Sequence, residues 1–375
     1  MDNFNNKDEL EKEEIQIEEK NKPNSIKKNL FLVVIILIVV LVVMLSTNDV
    51  GAIFEVIKKT DYRFVGIGIL FVLGFWLLQS LSIHLIMRKK TDKKIGHIDS
   101  MAIANSVFFF NGITPFSSGG QPFQIYSYHK CGIKSGICTA VIMMNFIIYQ
   151  IALNLVSFVA LGFYFVDLSN KVSNFKFLVI VGVTINILVL AGLILMSISN
   201  KFRKLLLGLI GFVCKIKFLR KHRDKILNKV STFIEEAQFS FKSLFKEIGL
   251  LIITLLLQIL ALVLNFIVPY FIFLALGINV GIEQLLLIMS LSAFALTFMI
   301  WIPTPGASGG AEFAFTELFP SMVVGVTAGP IAVSATLLWR FITYYLAMLF
   351  GFINFIIFEK RHKNDTKKLE EYLCV

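Results

Sequence analysis

Two short segments of the chain share residue types suited to binding an anion inside a membrane. Residues 114–120 read TPFSSGG and residues 304–310 read TPGASGG, so five of the seven positions agree. Proline lacks the backbone N–H that a helix needs, and paired glycines permit a tight turn. A helix that starts after such a break presents unsatisfied N–H groups and a partial positive charge. The pattern therefore predicts a backbone site for an anionic group such as a phosphate.

The polar residues in and beside both segments are the candidate binding residues. The predicted substrate-binding set comprises Thr114, Gly119, Gly120, Gln121, Gln124, Thr304, Ser308, Gly309, Gly310, Glu312 and Arg340. Four prolines are expected to shape the helix breaks, namely Pro115, Pro122, Pro303 and Pro305. The alternative is that the small residues only allow neighbouring helices to pack closely.

Glu312 and Arg340 are ionisable residues within apolar stretches. Such residues usually face a partner or a cavity when they lie in a membrane. One interpretation is an ion pair that locks two helices together. The other is that Arg340 holds a lipid phosphate, while Glu312 contacts a cationic headgroup or carries a proton. The sequence leaves both interpretations open.

Other polar residues have simpler interpretations. Asn145, Gln150 and Asn154 recur at a spacing of four to five residues, which places them near one face of a helix. They either line the same cavity or form hydrogen bonds between helices. His84 and His129 lie near basic segments, and we expect them to be surface groups at the membrane interface.

The sequence has no pattern typical of an enzyme centre. We find no serine–histidine–aspartate set, no HExxH helix and no nucleotide-binding glycine loop. The four cysteines lack the CxxC spacing of a metal site, so neither a metal nor a cofactor is expected. Without a nucleotide site, any transport would depend on an ion gradient, the membrane potential or a lipid gradient.

Composition and hydropathy indicate the elements that carry these residues. The 375 residues are 56% hydrophobic with a mean hydropathy of +0.77, which predicts an all-α polytopic membrane protein. Six apolar stretches are predicted to cross the membrane fully: 30–45, 64–87, 137–165, 177–197, 249–276 and 331–358. Two broken stretches, 98–128 and 283–320, contain the matched motifs and complete a set of eight hydrophobic segments.

The distribution of cations predicts the topology and argues against nucleic acid as a partner. The net charge is +11, but the Lys and Arg residues lie in short patches between apolar stretches. If both broken stretches are re-entrant hairpins, 30 of the 36 Lys and Arg residues face the cytoplasm together with both termini. A full crossing at 98–128 would instead expose the basic stretch 200–247 to the outside. The positive-inside rule therefore favours two re-entrant hairpins.

The motifs also divide the chain into units. Each motif lies between two long apolar stretches, and the predicted topology gives the units 64–165 and 249–358 opposite orientations. This is typical of an inverted-topology repeat, which many transporters use. We expect one transmembrane domain over 30–358 with a basic amphipathic cytoplasmic linker at 200–247. Residues 1–29 are expected to form a disordered cytoplasmic tail, and residues 359–375 a second cytoplasmic tail.

The stretches NGITPFSSGGQPFQ and IPTPGASGGAEFAF resemble the paired signature of the lysylphosphatidylglycerol synthase transmembrane-region family. These flippase-like proteins are related to the N-terminal half of the bacterial lysylphosphatidylglycerol synthase/flippase. The resemblance covers roughly residues 30–358. It implies a multi-pass protein of the bacterial plasma membrane that moves aminoacylated or other anionic lipids between leaflets. It also implies a contribution to resistance against cationic antimicrobial peptides.

The resemblance does not extend to aminoacyl transfer, which a soluble C-terminal domain performs in the full-length enzyme. About 17 residues follow the last predicted span here, so we do not expect phosphatidylglycerol lysyltransferase activity. Two alternatives stay open: the lysyltransferase activity itself, or presentation of lipid to a separate lipid-modifying enzyme. A small-solute transporter is a third. Lysyl-phosphatidylglycerol is one candidate lipid, and a glycolipid or a polyprenyl-phosphate lipid is another, so the headgroup and the oligomeric state are not predicted.

Overall fold

A computed structural model describes residues 55–93, 95–171, 175–213, 246–319 and 330–362, with a few isolated positions between 227 and 243. Within these residues the chain is helical throughout, as predicted. The main helices are α1 (Tyr62–Lys90), α2 (His97–Gly112), α3 (Gly120–Lys130), α4 (Ser135–Lys171), α5 (Phe175–Ile198), α6 (Asn200–Val213), α7 (Ile248–Phe266), α8 (Val268–Ala275), α9 (Leu285–Met299), α10 (Gly310–Leu318), α11 (Pro330–Arg340) and α12 (Leu346–Arg361).

Local sequence explains where several helices begin and end. Asp61 caps α1 by accepting a hydrogen bond from the Arg63 N–H at 3.0 Å, and three basic residues occupy its last turn. Pro269 lies in the first turn of α8, where a missing N–H costs nothing, and so separates α8 from α7. Between α11 and α12, residues Phe341–Tyr345 form a π-helical turn. Such turns are rare and often lie at functional sites.

Both motif-bearing stretches are broken at the predicted place. In the first, α2 and α3 flank a 3₁₀ turn at Pro115–Ser117. In the second, α9 and α10 flank a 3₁₀ turn at Pro305–Ala307. These two turns are called loop A and loop B below, together with the rest of their motifs, residues 114–120 and 304–310.

Among the described residues, five helical segments are long and apolar enough to cross a membrane. Four match predicted spans: Tyr62–Lys90, Ser135–Val166, Ile248–Ala275 and Pro330–Arg361. The fifth, Ile282–Met299, belongs to the second broken stretch, and the predicted span at 177–197 contains a shorter apolar helix, Val179–Gly192. The described residues do not include the predicted span at 30–45, the N-terminal tail, the C-terminal tail beyond residue 362 or most of the linker. The number of crossings and the inverted repeat stay predictions.

Helix packing brings the two broken stretches into contact with each other. The last helix, α12, packs along α2, while α1 packs against α7 and α8. The α2–α12 contact is very close at Gly351, where an added Cβ would lie 2.7 Å from the Phe109 backbone nitrogen. The α5–α9 contact is equally close, because a Cβ at Gly182 would lie 2.8 Å from the Phe298 nitrogen. Gly182 and Gly351, which lie outside the two motifs, thus permit close helix packing in this protein.

Candidate functional site

Loops A and B share a backbone turn over their first four positions. They differ at the next two, where Ser118 and Gly119 are helical but Ser308 is extended and Gly309 has a φ of 87°. The threonine that opens each motif is extended, and the third and fourth positions both have positive φ. Those φ angles are 54° and 51° for Phe116 and Ser117, and 59° and 54° for Gly306 and Ala307. In each loop the serine hydroxyl donates to the carbonyl of the motif proline at 2.9 Å. Positive φ is strained for residues other than glycine, so this shared conformation is specific to the motif.

The two loops are in contact although they lie about 190 positions apart in the sequence. A hydrogen bond joins the last helical segment to the first broken stretch, because the Tyr344 hydroxyl donates to the Gly112 carbonyl at 3.0 Å, beside loop A. Tyr344 also packs against loop B, where a Cβ on Gly306 would fall within 2.3 Å of the tyrosine ring. One tyrosine therefore bridges both breaks.

Arg340 is the charged centre of this arrangement. Its side chain is 3% exposed, and its Nε donates to Glu312 Oε1 at 2.8 Å. One Nη donates to the Gly306 carbonyl at 3.1 Å and to the Ser308 hydroxyl at 3.3 Å. The guanidinium carbon lies 4.3 Å from the centroid of the Tyr344 ring, within cation–π range. Arg340 thus joins the end of α11 to loop B and to the start of α10.

Glu312 has two roles in the same cluster. Its Oε1 accepts from Arg340, and its Oε2 accepts the Gly309 N–H at 2.7 Å. That second bond caps the N-terminus of α10, where a carboxylate also complements the helix dipole. The Glu312–Arg340 ion pair, which was one of the two interpretations from the sequence, is therefore present in this conformation.

In loop A, uncharged side chains accept the glycine N–H groups, whereas in loop B a carboxylate accepts one. The Gly119 N–H donates to Thr114 Oγ1 at 2.8 Å, and the Gly120 N–H donates to Asn111 Oδ1 at 2.8 Å. A Cβ on either glycine would collide with these same local groups, so both glycines serve the turn itself and not a contact between helices. A ligand would reach these N–H groups only by displacing the two side chains.

The remaining predicted residues differ in exposure. Gln124 is buried at 7% exposure, and no described residue forms a hydrogen bond with its amide. Gln121 and Thr304 are partly exposed, and the Thr304 hydroxyl donates to the Ser308 carbonyl at 2.7 Å. The structure thus places the second-motif residues in one cluster with Arg340 and leaves Gln121 and Gln124 on α3, beyond loop A.

Four prolines were expected at the helix breaks, and they have different surroundings. Pro115 and Pro305 each begin the 3₁₀ turn of their loop, but Pro115 is exposed and Pro305 is buried. Pro122 lies in the first turn of α3 and Pro303 precedes loop B, and both are exposed. Neither of the exposed flanking prolines lies inside the shared turn.

Tyr344 is a site residue that sequence reasoning missed. It lies four positions after Arg340, and side chains at that spacing share a helix face. Asn111, which accepts the Gly120 N–H, lies one helical turn before loop A. Both residues were detectable in principle from their spacing to the motif or to the buried arginine.

A second polar cluster lies between α1, α4 and α7. Asn145 Oδ1 accepts from Ser82 at 3.0 Å and from Gln258 at 3.1 Å, so Asn145 forms hydrogen bonds between helices. Gln150 is fully buried, and no described residue forms a hydrogen bond with its side-chain amide. The expectation for His84 was wrong: it is 8% exposed, because it packs at the junction of α1 and α2. Among the described residues no group of three or more metal-binding side chains occurs.

The family model described as "Lysylphosphatidylglycerol synthase TM region" matches residues 30–351, which include both loops and Arg340. The chain belongs to this family. A "UPF0104 membrane protein" of Archaeoglobus fulgidus is 25% identical over 80% of this chain and 88% of its own length. An uncharacterized protein of Mycoplasma pneumoniae is 24% identical over 85% of each chain. Membership in the lysylphosphatidylglycerol synthase TM region family, together with the apolar helices, identifies a multi-pass membrane protein and indicates a function related to membrane lipids.

Proposed function

We propose that this protein is a lipid translocase that moves an anionic or aminoacylated phospholipid between the two membrane leaflets. The observation that carries the proposal is the buried Arg340–Glu312 pair at the place where loops A and B meet. Ionisable groups buried at membrane depth are costly and usually serve a substrate or ion pathway. The turn that both loops share at their first four positions supports a site built from two related segments of the chain.

The chemistry of the pair suits a lipid that carries both a phosphate and an amine. A guanidinium binds a phosphate with two parallel hydrogen bonds, as it binds a carboxylate. A lipid phosphate can therefore replace Glu312 on Arg340 without leaving the buried cation uncompensated. The released Glu312 carboxylate is then available to an ammonium group, such as that of a lysyl-phosphatidylglycerol-like headgroup. Such an exchange avoids the large cost of an unpaired buried charge.

The charge-derived topology supports an alternating-access mechanism. If the two units have opposite orientations, a pseudo-two-fold axis in the membrane plane relates one loop to the other. Small shifts of one unit against the other then expose the shared site to one leaflet at a time. Tyr344 is placed to transmit such a shift because it contacts both stretches. We place the protein in the bacterial plasma membrane with both termini in the cytoplasm, where lipid movement would aid resistance to cationic antimicrobial peptides.

Reconstitution tests this proposal directly. The full chain is placed in vesicles with fluorescent phosphatidylglycerol or lysyl-phosphatidylglycerol, and dithionite bleaches the label in the outer leaflet. We expect wild-type protein to expose inner-leaflet label to bleaching faster than empty vesicles do, and Arg340→Ala to abolish this. Arg361→Ala is the matched control, because Arg361 pairs with Asp99 at 2.7 Å outside the site. Scrambling of no tested lipid by wild type would overturn the proposal.

The family name favours a second function, the supply of lipid to an aminoacyl transferase or the transfer itself. Membranes that contain this protein alone, incubated with labelled lysyl-tRNA, test the transfer. Labelled lipid would support a transferase. Labelled lipid only after addition of a separate transferase, with a rate that depends on this protein, would support presentation.

A further inference from the structure

The helix bounds of the two units agree when one unit is shifted by 190 positions along the chain. The 3₁₀ turns of loops A and B begin at Pro115 and Pro305, and α3 and α10 also begin 190 positions apart. The same shift carries the end of α4, Lys171, onto the end of α12, Arg361. One register therefore relates the two units from their loops to the ends of their last helices.

The first helices of the two units lie side by side and run in opposite directions. At the start of α1, the Asp61 N–H donates to the carbonyl of Ala275, the last residue of α8, at 2.8 Å. At the other end of α1, Lys90 pairs at 2.6 Å with Glu247, which immediately precedes α7. Opposite directions of equivalent helices are what an inverted repeat requires, so these contacts support the register.

The register pairs two residues of α4 with the centre of the Arg340 cluster. Gln150 corresponds to Arg340, and the residue four positions further along, Asn154, corresponds to Tyr344. Side chains at this spacing share a helix face. In the second unit this face meets loop B, where Arg340 donates to the Gly306 carbonyl and the Tyr344 ring packs against the same glycine. The equivalent face of α4 is therefore the candidate for the loop A half of a two-part site.

The polar groups on this face of α4 are buried without partners. Gln150, Asn154 and Ser157 are each at most 4% exposed. Both amide atoms of Gln150, the Asn154 carbonyl oxygen and the Ser157 hydroxyl have no hydrogen-bond partner among the described residues. The Asn154 Nδ2 donates within its own helix, to the Gln150 carbonyl at 2.8 Å. The unpartnered atoms are inaccessible, so no ligand reaches them in this conformation. Because unpaired buried polar groups are costly, the face is better suited to a conformation in which it opens.

We propose that Gln150 and Asn154 bind the lipid headgroup when the site opens toward the opposite leaflet. This inference rests on the proposed translocase function, in which each unit exposes the site to one leaflet in turn. A side-chain amide has two N–H donors and a carbonyl acceptor, so it can donate to phosphate oxygens and accept from a headgroup hydroxyl or ammonium group. The amides carry no charge, so they hold a phosphate less tightly than the Arg340 guanidinium does and favour its release.

The variant Gln150→Met tests this role with two measurements on the full chain. Methionine has a similar length and volume and removes an unpartnered amide, so the unfolding temperature in detergent should stay at or above that of wild type. Scrambling of fluorescent phosphatidylglycerol in the dithionite assay should nevertheless slow about tenfold, the size of one lost hydrogen bond to a charged group. Scrambling at the wild-type rate would overturn the inference. A clearly lower unfolding temperature would also overturn it, because the amide would then have a structural role in this conformation.

Thr139→Val is the matched control on the same helix. It also replaces a polar side chain by an apolar one of similar shape, and the Thr139 hydroxyl donates to the Ser135 carbonyl at 3.0 Å. The rise of the helix places Thr139 roughly 16 Å from Gln150. This control should scramble lipid at the wild-type rate. Equal slowing by the two variants would overturn the inference, because it would show a general effect of altering α4.

Hydrogen exchange of the wild-type chain in phosphatidylglycerol nanodiscs adds a test that needs no lipid movement. If the α4 face opens to water, the backbone amides of 150–157 should exchange faster than those of 254–261 in α7. The α7 segment is the comparison because it also contains a buried glutamine, Gln258, whose amide nitrogen is hydrogen-bonded. Equal protection of the two segments would overturn the inference. If wild type moves no tested lipid, the proposed function fails, and the exchange result alone decides whether the α4 face opens.

Discussion

Arg340 Nε and Glu312 Oε1 lie 2.8 Å apart, and this buried ion pair joins the end of α11 to the first turn of α10. The same glutamate caps α10 through the Gly309 N–H, and the same arginine holds the Gly306 carbonyl. Both partners therefore stabilise loop B and the first turn of α10. Opening the pair for a ligand would loosen loop B at the same time, so ligand binding and loop movement are coupled in this geometry.

Removal of the carboxylate is expected to be costly. Glu312→Ala leaves the buried Arg340 guanidinium without a counterion, and we expect the free energy of unfolding to fall by about 3 kcal/mol. Thermal unfolding in detergent measures this change. Glu55→Ala is the control, since Glu55 pairs with Lys59 at 3.5 Å and both side chains are exposed. A loss for Glu312→Ala no larger than that of the control would contradict the prediction.

Replacement of both charges separates stability from function. The double variant Glu312→Leu with Arg340→Met removes the pair but keeps apolar volume, so it should regain most of the stability that Glu312→Ala loses. It should still fail to scramble anionic lipids in vesicles, because the guanidinium is gone. Scrambling at the wild-type rate by a stable double variant would show that Arg340 does not bind the lipid.

Gly306 is expected to tolerate no side chain. Its φ is +59°, and a Cβ would fall within 2.3 Å of the Tyr344 ring. Gly306→Ala should therefore lower the free energy of unfolding by about 2 kcal/mol, from backbone strain and displacement of the ring. The control is Gly66→Ala, inside α1 with nothing within 4 Å, which should be neutral or stabilising. Similar unfolding temperatures for the two variants would exclude the proposed contact.

The Tyr344 hydroxyl is expected to link the last helical segment to the first broken stretch, beside loop A. Tyr344→Phe keeps the ring over Arg340 but removes the bond to the Gly112 carbonyl, so we expect a loss of about 1 kcal/mol in stability. If this hydrogen bond couples the two loops, Tyr344→Phe should slow lipid scrambling by more than its loss of stability would cause. Tyr345→Phe is the matched control, since no described residue bonds the Tyr345 hydroxyl. Identical scrambling rates for the two variants would remove Tyr344 from the mechanism.

Asn111 is expected to hold loop A in its turn. Asn111→Leu has a similar volume but leaves the Gly120 N–H without its acceptor, which should cost about 1–3 kcal/mol. Hydrogen exchange at the Gly120 amide should accelerate, while exchange in loop B stays unchanged. Unaltered protection at Gly120 would show that another acceptor can replace the asparagine.

Much of the architecture could be predicted because it follows from local chemistry. Apolar stretches of membrane length predicted four of the five long apolar helices, and the TPxxSGG motifs predicted both breaks. The fifth long apolar helix, Ile282–Met299, was predicted as part of a broken stretch because Pro303 and Pro305 follow it closely. A helix limb that ends at a break can still be as long as a span, and hydropathy alone does not separate the two cases.

The sequence by itself determined the class of protein, the positions of the helix breaks and the short set of polar residues near them. These depend on composition and on neighbours within a few residues, which is where proline, glycine and hydropathy act. Only the tertiary structure decided that Arg340 pairs with Glu312, that Tyr344 bridges loops A and B, and that His84 is buried at the junction of α1 and α2. Those relationships depend on which helix faces meet in the packed bundle, and side-chain packing between distant segments sets that choice.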